Sequence, residues 1–305
     1  MAYIDQLIEQ FPVRKSRAQK KAFRQWALEE AKRLGYEARE EGDSFSTNVV
    51  VGDPDKAQVI VTAHYDTPAV MPIPNFITPC NVLIYLLYQL VVVGLMLGAM
   101  ALVVAVSAML GMPKLPAIGL GYVVVLVLCG LMMFGPANKH NANDNTSGTA
   151  AVLETMARLS EDQRAKMAFV LFDNEEKGMM GSSAFAGAHK AVKKETLLVN
   201  MDCVGLGEDI LFFAPRLARE HQAYPTLEKV LTAQEGRAVH FFKMEGKFYP
   251  SDQSCFKRGV AVCSCKKGKV IGYYCDRIHT PADTIADPVN ISVLADGLCA
   301  FAQTL

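Results

Sequence analysis

Residues 59–67 read VIVTAHYDT, and this stretch decides the fold. VIVTA carries no charge and is built of small and β-branched residues. Such a run reads as a strand buried on both faces, which belongs in a sheet covered by helices. It stops at His64-Tyr65-Asp66. His64 and Asp66 lie two apart, so on a continuing strand they share a face. The same design recurs downstream. MAFVLF runs into Asp173-Asn174-Glu175-Glu176, and LLVNM runs into Asp202. Further strands are expected over 45–51, 209–213, 238–242 and 260–265, and helices over 19–35, 145–159 and 291–303. This alternation predicts an α/β fold: a mixed central β-sheet sandwiched by helices.

Charge is spread very unevenly around these elements. Overall, 31 basic and 31 acidic residues cancel to a formal +0 over 305 residues. No nucleic acid partner is implied by that balance. Yet between Asp66 and Lys139 the only charged residue is Lys114. Residues 81–110 and 117–134 are almost wholly apolar, joined by the turn GMPKLP. A bilayer core of about 30 Å needs about 20 helical apolar residues. The first run exceeds this and has length to tilt; the second just meets it. Two transmembrane helices forming a hairpin are expected, with the lipid bilayer as partner through residues 81–134. The alternative is a hairpin buried in a soluble protein or used to dimerise, which makes a second copy of the chain a further candidate partner. A hairpin returns to its starting side, so both flanks share a compartment. The first 36 residues lack a long apolar core, so no secretory signal peptide is expected and that compartment reads as the cytoplasm. Lys139 agrees with the positive-inside rule and Lys114 does not. The organisation expected is therefore residues 1–69 and 138–305 as the two parts of one catalytic domain, with 70–137 inserted.

There are eight cysteines. Reduced thiols are the default here. Four lie between Cys255 and Cys275, but not as paired CxxC knuckles, so buried strand cysteines explain them better than a zinc knot.

The groups able to carry chemistry all fall at strand ends, where open α/β sheets gather their ligand sites. NANDNTSG places Asp144 at a strand-to-helix turn, and IHTPADT places His279 in a loop. Five potential metal ligands then converge: His64, Asp144, Glu176, Asp202 and His279. Histidines with carboxylates suit Zn²⁺ and related divalent ions. A carboxylate can bridge two such ions. Asp66 is placed to hold the second nitrogen of His64. Glu175 points differently from Glu176 and is free to serve as a base. The sequence holds no HExxH or GxSxG.

The order AHYDT, NANDNTSG, FDNEEKGMMGSSAF, NMDCVG and IHTPADT resembles the M28 family of zinc aminopeptidases, over about residues 15–68 and 138–305. The resemblance implies an eight-stranded mixed sheet of the zinc exopeptidase kind. It implies that His64, Asp144 and Asp202 hold one zinc, and Asp144, Glu176 and His279 the other. Glu175 matches the family's general acid/base and Asp66 its partner to the first histidine. A cis peptide is implied at Asp144-Asn145, and the substrate implied is a peptide with a free N-terminus. There are two departures. Ser251-Asp252-Gln253 stands where members often show Ser-Asp-His, which leaves a substrate contact from that loop open, as it does for Phe248 and Tyr249. The hairpin is the other, since soluble members lack it. Rival readings are a glutaminyl cyclase-like acyltransferase, another dizinc peptidase or deacylase, and a non-catalytic membrane protein on this fold.

Overall fold

The computed structural model describes residues 2–232, 234 and 236–305. Nine strands form one mixed sheet: β1 (Ala38–Gly42), β2 (Thr47–Val51), β3 (Val59–His64), β4 (Met167–Phe172), β5 (Leu197–Met201), β6 (Asp209–Ala214), β7 (Ala238–Lys243), β8 (Gly259–Gly268) and β9 (Gly272–Tyr274). Their order is β1-β2-β4-β3-β5-β8-β6-β7, with β9 on β8. The eight-stranded path matches the expectation, and β9 is an addition to it. β1 (AREEG) had no apolar signal because it is an exposed edge strand, where charge guards against further pairing.

Four central strands are parallel to their neighbours, β4-β3-β5-β8. The register aligns their carboxyl ends: His64 pairs with Phe172 and Thr62 with Asn200. The residues that follow, Asp66, Asp173 to Glu176 and Asp202, therefore emerge along one edge. Both faces of the sheet are buried, as VIVTA predicted. Val59, Val61 and Ala63 face a core built with helices α1 (Tyr3–Gln10), α2 (Arg17–Arg33) and the C-terminal helix Pro288–Thr304. Ile60 faces the other core, with Val170, Phe172 and Phe185. α2 starts on a capping box, Ser16 with Gln19, and ends before Gly35, whose φ of 86° suits glycine. α1 was not anticipated, because its charged residues obscure the apolar face of Tyr3, Ile4 and Leu7.

The apolar runs form α3 (Val82–Met109) and α4 (Lys114–Phe134), both long and apolar enough to cross a membrane. Only 6% and 11% of their most apolar windows are buried, so they are not core helices of the sheet-bearing part. They pack on each other, closest at Gly121, where a Cβ would meet Met100 Cγ at 2.9 Å and Val104 Cγ2 at 3.0 Å. Entry and exit are zipped together: Ala69 bridges Ala137, and Val70 N–H donates to Pro136 O at 2.8 Å.

The surplus length of α3 has a specific use. Its 28 residues span about 42 Å at about 1.5 Å each. The opening turns stay on the catalytic part. Asn81 Nδ2 donates to Ile271 O, Tyr85 packs on Phe248 at 4.8 Å, and Tyr88 packs on Phe76 at 5.3 Å. From residue 90 to Met109, roughly 30 Å remains, a close match to α4. Part of the surplus is thus taken up by packing on the sheet-bearing part of the chain. α4 also starts earlier than expected. Pro116 sits in its first turn, where the missing N–H breaks no helical bond.

Candidate metal centre

His64 closes β3, and its carbonyl accepts from Thr149 Oγ1 at 3.0 Å. Its Nε2 lies 3.3 Å from Asp144 Oδ1 and 3.7 Å from Asp202 Oδ1. Its Nδ1 faces Asp66, 3.2 Å from the carbonyl and 3.5 Å from Oδ1. Across the site, His279 Nε2 lies 3.0 Å from Asp144 Oδ2 and 3.2 Å from Glu176 Oε2. Asp144 thus turns one oxygen to each imidazole. Two triads result, His64/Asp144/Asp202 and Asp144/Glu176/His279, with the donor atoms of each within 4.8 Å of one another. All five expected ligands are brought together, with Glu175 beside His64 and Glu176.

Each side chain is held by a local device. Asp144 sits in the turn Ala142–Ser147, followed by α5 (Gly148–Arg158). Asp283 clamps that turn by accepting from Asn143 N–H at 2.9 Å and Asp144 N–H at 3.0 Å. Asn145 Oδ1 caps Gly148 N–H, and its Nδ2 donates to Met201 O on β5. Gly148 is obligatory, since a Cβ would lie 2.3 Å from both Asn145 Oδ1 and Met201 O. The Asp144-Asn145 peptide is cis. Asp66 does more than face His64: its two oxygens accept from Glu175 N–H (3.0 Å) and Glu176 N–H (3.3 Å). One carboxylate therefore fixes the first imidazole and the Glu175-Glu176 turn. Lys20 backs the same turn, donating to Asp173 Oδ1 at 2.7 Å and Asn174 Oδ1 at 2.8 Å. Arg14, fully buried, donates to Tyr65 O and Thr146 Oγ1, tying the first ligand loop to the Asp144 turn.

The electrostatics call for added positive charge. Burial alone would lower the His64 pKa, yet hydrogen bonds to Asp144, Asp202 and Asp66 hold it well above its ordinary value. Burial, with the neighbouring Asp144 and Glu175, pushes Glu176 well up. Glu175 is raised by burial, then by Asp202, Asp252 and Asp144. Among the described residues, Glu176 Oε1 and Asp202 Oδ1 are buried without a hydrogen-bond partner. Buried orphan oxygens cost free energy unless something positive meets them. The donor set of imidazole and carboxylate suits zinc, and its orphaned oxygens fit divalent ions at both triads.

Sequence reasoning missed several contributors. Asp252 is fully buried with both oxygens unpartnered, and burial pushes it up to about 7. Its charge reaches Glu175. Gln253, where the family resemblance led us to look for histidine, is buried and structural. Its Oε1 accepts from Asn200 Nδ2, and its Nε2 donates to Tyr249 O. Tyr249 is core, its hydroxyl donating to Asp202 O at 2.9 Å. Phe248 packs on the hairpin through Tyr85. The four clustered cysteines form no metal group among the described residues, and Cys263 and Cys265 are buried on β8. A cleft of about 710 Å³ beside Leu28, Tyr36 and Asp53 holds none of the site residues.

The sequence model of peptidase family M28 matches residues 129–302, more than half of the chain. The chain belongs to that family, and membership supports a metallopeptidase-type function. His64 and Asp66 precede the matched stretch, so their place in the site rests on the geometry above. Among solved structures, the Porphyromonas gingivalis glutaminyl cyclase is 13% identical with a TM-score of 0.62, covering 99% of this chain and 96% of its own. The Legionella pneumophila LapA aminopeptidase is 13% identical with a TM-score of 0.58, covering 98% and 70%. A leucine aminopeptidase precursor from Bacteroides thetaiotaomicron is 11% identical with a TM-score of 0.59, covering 99% and 95%. At these identities the likeness is one of fold. Among curated protein sequences nothing matches.

Proposed function

We propose that the chain is a two-zinc aminopeptidase whose catalytic domain, residues 1–69 and 138–305, is carried on an inserted transmembrane hairpin, residues 70–137. The observation that carries this is Asp144, with one oxygen directed to each histidine. A single-metal site has no use for that arrangement. His64, Asp144 and Asp202 would hold one ion, and Asp144, Glu176 and His279 the other. Zinc held there supplies Lewis acidity, lowering the pKa of water and stabilising charge on the scissile carbonyl. Glu175 is the acid/base: its carboxylate takes the proton of the attacking water and returns it to the leaving amine. Asp66 positions Glu175 through the main chain and His64 through its Nδ1. The acidic cluster favours a substrate with a free, positively charged N-terminus.

The test compares peptides with free and N-acetylated termini, together with a peptide beginning in glutamine. Free peptides should lose their first residue and acetylated ones should be spared. 1,10-Phenanthroline should abolish turnover, and added Zn²⁺ should restore it. Pyroglutamate formation with no release of N-terminal residues would replace this reading by a cyclase.

The membrane assignment is supported by outward apolar side chains such as Leu102 at 65% and Leu126 at 70% exposure. α4 alone carries about a dozen Leu, Ile, Val and Phe residues, each gaining about 0.3–0.6 kcal/mol at a bilayer centre. Lys15 donates to Met133 O at the hairpin exit, and Lys139 follows it, against Lys114 alone at the far turn. That asymmetry favours a cytoplasmic catalytic domain. The chain should sediment with membranes after carbonate washing and need detergent to stay monodisperse. Leu126→Arg should cost about 2.5–3.5 kcal/mol of insertion and reduce the membrane fraction. A wild-type chain monodisperse without detergent would end the membrane assignment.

A further inference from the structure

Two cavities with three lining residues in common lie between the Glu176–His279 pair and the hairpin. The inner one, about 240 Å³, has Glu176 and His279 at one end and Ile73, Val92 and Met132 at the other. The outer one, about 580 Å³, shares Ile73, Val92 and Met132 and continues past Leu95, Met96 and Leu128. Every side chain lining the outer cavity is apolar. Val92, Leu95 and Met96 follow i, i+3, i+4 spacing on α3, and Leu128 and Met132 lie four apart on α4, so each set forms a single row. Beyond Met96 the helices close at Met100 and Gly121, which ends the furrow away from the catalytic part. Toward the catalytic part it stays open. There the strap leading into α3 runs along the His279 loop, Met71 N–H donating to His279 O at 2.8 Å and Asn75 N–H to Ile278 O at 3.3 Å.

We infer that this furrow binds the apolar side chains of the peptide beyond its scissile bond, so that the substrate class is a hydrophobic peptide drawn from the membrane. The inference rests on the peptidase reading of the Glu176–His279 end. Three observations favour a peptide as occupant. The furrow adjoins, at Ile73, Val92 and Met132, the cavity that reaches Glu176 and His279, and that carboxylate–imidazole cluster matches an amine and an amide and offers nothing to a lipid tail. Asn75 and Gln89 line the inner cavity, where a peptide backbone needs hydrogen-bonding groups. Its outer walls are the two helices that lie in the bilayer, so a membrane-partitioned peptide reaches the site without crossing polar surface. A polar peptide would have to shed hydration along the same wall with no partner to replace it.

The test uses the full-length, zinc-loaded chain in detergent micelles. The Glu175→Gln variant holds an uncleaved peptide, Ala-Ala followed by three leucines, with a diazirine leucine at the third residue. Mass spectrometry should map crosslinks to the segments holding Ile73, Val92 and Met132. The unlabelled leucine peptide should compete at least tenfold better than its serine counterpart. In the wild-type background, Val92→Trp should lower the ratio of kcat/KM for the leucine peptide to that for the serine peptide at least tenfold. Crosslinks confined to other surfaces, or equal competition by the serine peptide, overturn the furrow. Cleavage without furrow crosslinks overturns the furrow alone and leaves the peptidase reading standing. Furrow crosslinks with no cleavage of either peptide by wild type overturn the peptidase reading and keep the furrow as a peptide site.

Discussion

The Glu175→Gln variant should bind zinc as the wild type does and lose about 10²–10⁴-fold in kcat, the usual contribution of a positioned general acid/base. The substitution is nearly isosteric. The turn that carries Glu175 is held by main-chain groups, Glu175 N–H and Glu176 N–H on Asp66 and Gly181 N–H on Asp173 O, none of which the variant alters. Folding and metal content should therefore be spared. What is lost is a carboxylate able to accept a proton beside His64. The measurement pairs zinc analysis with steady-state rates on a free peptide. KM should move little, since the loss falls on the chemical step. Retained full turnover would remove Glu175 from the chemistry, and loss of zinc would recast it as a ligand.

Asp144→Asn should have the larger structural effect. The amide keeps the shape but carries no charge, and it presents an NH₂ to one imidazole, so it cannot satisfy two cations at once. The two triads share no other residue. Zinc content after gel filtration should fall from about two ions per chain to one or fewer, with turnover lost. Because metal binding stabilises the folded state by mass action, about 4 kcal/mol at a thousandfold excess over Kd, the thermal midpoint in zinc should fall as well. Asp144→Asn retaining two ions would show that the bridge lies elsewhere.

The parts of the site legible in the sequence were those in which short-range pattern and chemistry coincide. β3, β4 and β5 are uncharged runs that lead into a His or an Asp, so His64, Asp202 and the Glu175-Glu176 pair stood out. Asp144 and His279 were legible from their polar motifs. What escaped notice depends on distant partners. Asp283 meets the Asp144 turn from 139 positions away, Arg14 meets Thr146 across 132, and Lys20 meets Asp173 across 153. Read locally, each of these three is an ordinary charged residue. The use of α3's opening turns was hidden for another reason. Tyr85 and Tyr88 are apolar enough to merge with the membrane run, and only Phe248 and Phe76 reveal that they stay behind. The role of Gln253 was equally hidden, because its partner Asn200 lies on β5, 53 positions away.

The position of the hairpin in the chain fixes an order of events during synthesis. β3 carries His64 at the centre of the sheet, and both of its partners, β4 and β5, are encoded after α4. The same is true of the partners of β2 other than β1. When α3 and α4 leave the ribosome, the first 66 residues have only β1 and β2 to pair with each other. A lone two-stranded ribbon is marginal in water. The two apolar helices are thus complete before the sheet can close, and the nascent first histidine waits without its partner strands. The metal-ligand cluster cannot form until His279 has been made, when its loop meets a strap already in place between β3 and α3.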